Sequence, residues 1–76
     1  PGGVETPIWS NVPFFGQLVQ STGSEEAAFK AMGSESSPLG RFARADEIAG
    51  QIAFLLSDEA AFITGACLVA DGGYSL

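Results

Sequence analysis

Seventy-six residues, 46% apolar and 16% charged, make at most one small domain and are too apolar for intrinsic disorder. The net charge is −6, and the only basic residues are Lys30, Arg41 and Arg44. No basic stripe can neutralise phosphates, which excludes a nucleic-acid partner and disfavours an anionic membrane surface. No apolar run approaches the roughly 20 residues of a membrane span.

Pro1 to about Gly23 is apolar and aromatic. Pro7 suits the first turn of a helix, where its missing N–H costs nothing, and Pro13 interrupts whatever follows Pro7. Short, irregular helical pieces are expected here. The stretch 24–40 opens with a helix start: Ser24 can cap, and Glu25 and Glu26 suit the positive end of the helix dipole. Ala27 to Met32 propagate the helix, Gly33 is expected to end it, and Ser34 to Pro38 read as a mobile loop.

The stretch 41–76 carries the clearest periodicity. Ile48, Ile52, Leu55 and Leu56, with Ala49 and Ala53, share one face of a helix over 46–56. Ser57 is expected to cap a further short turn through Ala61. An apolar strand over 66–70 follows, closed by Asp71-Gly72-Gly73, whose glycines permit turn conformations. No convincing second strand is visible to pair with it. A buried strand without partners leaves its N–H and C=O groups unmatched, so the missing strands are expected from outside these residues. The lack of an initiator Met points the same way: the chain reads as a cleaved, truncated or dissected product, with ordinary maturation at the N-terminus as the other reading.

Cys67 is the only cysteine and there is no histidine. No internal disulfide, metal site or Ser-His-Asp triad is possible. Cys67 reads as a small buried hydrophobe, and the absence of a disulfide framework fits a reducing cytoplasm. The acidic pairs Glu25-Glu26, Asp46-Glu47 and Asp58-Glu59 all sit at helix starts, where the dipole accounts for them without acid/base chemistry.

Taken alone, Pro1-Gly2-Gly3 is a turn and Thr6 before Pro7 is a helix cap. The ordered series is more specific. Pro1-Gly2-Gly3-Val4-Glu5-Thr6 is followed by Pro38-Leu39-Gly40-Arg41-Phe42, Asp46-Glu47-Ile48-Ala49 and Phe54 to Ala60. Then come Phe62-Ile63-Thr64-Gly65 and Leu68-Val69-Ala70-Asp71-Gly72-Gly73. In that order and spacing the chain resembles the C-terminal part of a short-chain dehydrogenase/reductase.

The resemblance implies an α/β fold: the C-terminal segment of a Rossmann-type doubly wound parallel sheet, contributing helices and one edge strand. Residues 1–23 would be the nicotinamide-side loop and the start of a substrate lid, 24–40 the lid helix and loop, and 41–76 the last helix, edge strand and closing loop. It implies NAD or NADP as cofactor, with Pro1, Gly2, Val4 and Thr6 on the nicotinamide side. The Val4 N–H and the Thr6 hydroxyl would hydrogen-bond the carboxamide. Trp9, Phe14, Phe15 and Leu18 would line the substrate, an alcohol or ketone. Ordinary core packing is the other reading of these four side chains. The segment Ala43-Arg44-Ala45 departs from the family, which often has Pro before the acidic pair, and Arg44 is a poor cap.

In the family the general acid/base is a Tyr assisted by a Lys, and a glycine-rich loop holds the pyrophosphate. Neither motif occurs here. Tyr74 lacks a Lys four residues on, so no catalytic residue is assigned and the chain alone is expected to be inactive. A homo-oligomer through 46–56 and 66–70 is expected. The alternative is a non-enzymatic fragment that persists by self-association through those same surfaces.

Overall fold

Two prolines set the first helical segments. In a computed structural model that describes all 76 residues, Pro7 opens a 3-10 helix over Pro7–Asn11 and Pro13 opens α1 over Pro13–Thr22. Pro13 therefore separates the two pieces, as expected, although α1 itself is regular. Gly23 ends it in the left-handed conformation (φ 99°). The Ser24 hydroxyl then accepts from the Ala27 N–H at 3.0 Å and starts α2, Glu25–Ser36.

The expectation that Gly33 stops this helix is wrong. α2 runs on to Ser36, so Ser34 to Ser36 are helical and not loop. Gly33 is buried because the backbone of Arg41 and Phe42 crosses directly over it. A Cβ there would lie 2.5 Å from the Arg41 Cα. The glycine serves a close approach between segments.

Two short strands pair in parallel: β1, Val4–Glu5, beside β2, Ala43–Arg44, with Val4 opposite Ala43. Neither was expected. Each is two residues long, too short for alternation to show. α3 follows at once over Ala45–Leu55. Arg44 makes no side-chain cap bond. The Glu47 carboxylate instead accepts from the Arg44 backbone N–H at 2.9 Å.

The Ser57 hydroxyl donates back to the Phe54 carbonyl and does not cap the 3-10 turn Asp58–Ala60. That oxygen is one of the orphan acceptors at the end of α3.

The strand expected over 66–70 does not form. In this stretch only Ala70 joins a backbone hydrogen bond, accepting from the Gly2 N–H at 3.4 Å. No neighbouring strand lies alongside to satisfy the rest. Cys67, expected to be buried, is exposed for the same reason.

The core is an aromatic ring of rings. Trp9, Phe15, Phe29 and Phe42 close a cycle with centroid separations of 6.2, 4.9, 6.1 and 5.7 Å. It joins the first 3-10 helix, α1, α2 and the residue before β2. Phe15 is 2% exposed and Ala28 fully buried. Away from this cluster the chain is open: Ile52, Leu55, Leu56, Phe62, Leu68 and Val69 are all exposed. No helix is long and apolar enough to cross a membrane.

Candidate cofactor-side site

Three segments meet around the first six residues. On one side the Ala43 N–H donates to the Gly3 carbonyl at 2.9 Å, at the start of the β1–β2 pair. On the other, Ala70 accepts from Gly2. A Cβ on Gly2 would lie 3.1 Å from that of Asp71, and one on Gly3 would overlap the Phe42 ring. Two consecutive glycines let this backbone pass between its neighbours.

The closing loop is fixed in turn. The Asp71 carboxylate accepts from the Gly73 N–H at 2.9 Å through one oxygen and from the Ser75 N–H at 3.0 Å through the other. The Ser75 side chain, and then backbone N–H groups of Gly73, Ser75 and Tyr74, hold its pKa below the ordinary range against a smaller opposing effect of burial. The Gly72 carbonyl accepts from the Leu39 N–H at 3.0 Å and the Ser37 hydroxyl at 3.1 Å. Gly72 and Gly73 have positive φ and lie flush against Ser37 and Pro38.

A cleft of about 800 Å³ opens between these segments, lined by Gly2, Gly3, Trp9, Ser37, Asp71 and Tyr74 among others. Of the expected cofactor residues, Gly2 faces it. Pro1 is exposed beside it, and Val4 and Thr6 lie just beyond. The Val4 carbonyl is taken by the Trp9 indole N–H at 3.1 Å. Thr6 occupies the cap position of the first 3-10 helix, yet its hydroxyl makes no cap bond. Thr6 is thus the N-cap through its backbone, its carbonyl accepting from the Trp9 N–H at 3.4 Å, and its hydroxyl is not used in the cap.

The four expected substrate-lining residues divide. Trp9 borders the cleft and stacks edge-on against exposed Phe14 at 6.1 Å. Phe15 belongs to the core, and Leu18 is half-buried on α1.

A second cluster braces the loop from behind. The Arg41 guanidinium makes two parallel bonds to Glu47, at 2.7 and 2.9 Å, while Glu47 also holds the Arg44 N–H. The Arg41 hydrogen bond and then that of Arg44 bring the Glu47 pKa down to about 2, and Glu47 raises that of Arg41. Arg44 pairs with Asp46 at 3.1 Å. The roles of Asp71, Ser37 and Gly33 were not legible in the sequence. The Asp-Gly-Gly and Ser-Pro signals mark turns but not what those turns touch.

The family profile described as Enoyl-(Acyl carrier protein) reductase matches residues 1–75. The chain belongs to the short-chain dehydrogenase/reductase family. It is 39% identical over 75 residues to cis-4-hydroxycyclohexanecarboxylate dehydrogenase of Sinomonas cyclohexanicum, covering 99% of this chain and 25% of that protein. It is 36% identical, over 99% of its length and 26% of the relative's, to 2,5-dichloro-2,5-cyclohexadiene-1,4-diol dehydrogenase of Sphingobium indicum. L-sorbose reductase from Gluconobacter frateurii, solved with NADPH and L-sorbose, superposes with a TM-score of 0.74 at 29% identity, over 97% of this chain and 28% of that one.

The chain thus spans about a quarter of the length of these relatives. Its fold is the C-terminal segment of a Rossmann-type α/β domain.

Proposed function

We propose that these residues form the nicotinamide-side wall of an NAD- or NADP-dependent oxidoreductase, which transfers hydride between its cofactor and an alcohol or carbonyl substrate. The observation that carries this reading is the loop Pro1–Thr6. It is clamped between β2 and the closing loop, narrowed by Gly2 and Gly3, and ends in an uncommitted Thr6 hydroxyl.

The nicotinamide supplies the hydride when bound. The Val4 N–H and Thr6 hydroxyl hydrogen-bond its carboxamide, and Pro1 and Gly2 give it room. Trp9 and Phe14, with α1 behind them, form an apolar lid that keeps water from the reacting carbon. Phe15 and Leu18 support that lid from beneath. The substrate is a hydrophobic, ring-bearing alcohol or ketone. The aromatic pair Trp9–Phe14 supports this, as do relatives named for cyclohexane and cyclohexadiene substrates. The acid/base groups come from outside these 76 residues, so the isolated chain is inactive. The complete enzyme works in the reducing cytoplasm, where a lone cysteine stays unpaired.

The experiment is to mix the complete protein carrying this segment with NAD(H) or NADP(H) and a panel of cyclic and open-chain alcohols and ketones. Cofactor-dependent absorbance change is expected, larger with cyclic substrates. No change with any of them overturns the proposal.

The exposed apolar surface from Ile52 to Val69 favours a second role, a contact between subunits through α3 and 66–70. A non-enzymatic, self-associating fragment would use that surface too. Sedimentation of the isolated chain separates the two: a stable folded oligomer favours the fragment, while aggregation or unfolding favours the enzyme segment.

A further inference from the structure

On the closing-loop side, the charged group behind the clamp on the cofactor-side loop is Asp71. The Gly2 N–H reaches the Ala70 carbonyl, and the next residue is Asp71, whose backbone and Cβ lie where a Gly2 side chain would be. The two carboxylate oxygens of Asp71 hold the Gly73 and Ser75 N–H groups, and so set the turn that aims the Ala70 carbonyl at Gly2. The far end of the turn is anchored: Gly72 accepts from Leu39 and Ser37, and Gly73 abuts Pro38. A turn fixed at its far end and locked internally acts as a rigid stop for the first loop. If the lock is removed, β2 still holds Gly3, while the turn that presents Ala70 to Gly2 is left to its backbone bond from Tyr74 to Asp71 and its anchor at Gly72.

We infer that Asp71 is a positioning residue for nicotinamide binding, acting through the Ala70–Gly2 contact on the loop that ends in Thr6. The inference rests on the proposed cofactor-side role of that loop. Asp71 touches neither cofactor nor substrate in this account. Its influence falls on the nicotinamide half of the cofactor and leaves the adenosine half alone, because no other cofactor contact proposed for this chain depends on the turn. Asn at this position keeps one acceptor oxygen and loses the other, which makes Asp71→Asn an intermediate case.

The test titrates the complete protein with its reduced cofactor and, separately, with ADP-ribose (2′-phosphorylated if the enzyme prefers NADPH), which lacks the nicotinamide. Wild type, Asp71→Ala, Asp71→Asn, Thr6→Ala and the Thr6→Ala/Asp71→Ala double variant are compared. Asp71→Ala is expected to raise the reduced-cofactor Kd about two- to tenfold, the span of one hydrogen bond. The ADP-ribose Kd stays unchanged, and Asp71→Asn falls between Asp71→Ala and wild type. The double variant binds no worse than the weaker single one, because both changes disable one loop.

An unchanged cofactor Kd in both Asp71 variants overturns the inference. Equal weakening of both ligands does so too, since that marks general damage, and so does full additivity with Thr6→Ala. If Thr6→Ala itself leaves cofactor binding intact, the cofactor-side reading of the loop has failed. If Thr6→Ala weakens binding and the Asp71 variants do not, the positioning role alone has failed.

Discussion

Gly33 sits where α2 meets the backbone of Arg41 and Phe42, and two effects there oppose each other. Alanine is a better helix former than glycine by about 1 kcal/mol. Its methyl group would meet main-chain atoms at 2.5 to 2.7 Å, and a backbone cannot rotate away as a flexible side chain can. Overpacking of this kind costs about 1–3 kcal/mol, so the clash wins. Gly33→Ala should lower the denaturation midpoint of the complete protein. Gly16→Ala in α1, which meets nothing within 4 Å, should leave it equal or raise it. Equal effects would show that the close approach does not constrain the helix.

Glu47 allows a prediction with a definite sign. Its pKa falls from an ordinary 4.5 to about 2 on folding, through Arg41 and the Arg44 N–H. The stabilisation it gives is therefore fully present above about pH 4.5 and is lost as the pH falls toward 2. Glu47→Gln should flatten the acid limb of Tm against pH in that window and leave the neutral-to-alkaline limb parallel to wild type.

The elements differ in how far local sequence determines them. Ser24 with Glu25 and Glu26, and Asp46 with Glu47 ahead of Ile48, encode α2 and α3 within a few residues, and both helices form. The prolines likewise announce their own breaks. What escaped a reading of the sequence is non-local. The β1–β2 pair joins residues far apart in the chain, and Gly33 resembles a helix stop until the segment crossing above it is known. The run 66–70 has the composition of a buried strand, but a strand exists only where a neighbour accepts its hydrogen bonds.

Among the proposed site residues, Gly2 and Thr6 were named from a motif. Asp71, which fixes the turn beside them, read only as a loop closure. At this scale α3 makes its own prediction. Leu56 is 83% exposed here although it lies on the expected apolar face. Leu56→Ala should barely change the helicity of the isolated 76 residues. In the complete protein, cover of that face by other elements is expected to raise the cost to about 2–5 kcal/mol in urea unfolding. A near-zero cost in both would mean that the face is never covered.

Across the whole molecule the dimensions tell one story. The chain exposes 5691 Å², whereas a compact monomer of 7.8 kDa would expose about 4,400 Å². Its radius of gyration is 14.9 Å, against about 11.4 Å for a compact chain of its length. The extents, 48 × 24 × 15 Å, describe an aromatic cluster with an arm that carries apolar side chains into solvent. The surplus surface, about 1,300 Å², is within the range of a substantial interface between parts of one fold. The closing loop nonetheless returns from that arm to brace Gly2, and through this return the end of the chain comes to serve its beginning.

We propose that residues 66–70, which form no strand in these 76 residues alone, complete a parallel sheet with strands from outside them. Amide hydrogen exchange tests this most directly, followed at Cys67, Leu68 and Val69 in the complete protein and in the isolated chain. Strong protection in the complete protein and rapid exchange in the isolated chain are predicted. Equally fast exchange in both, or equal protection in both, would contradict it.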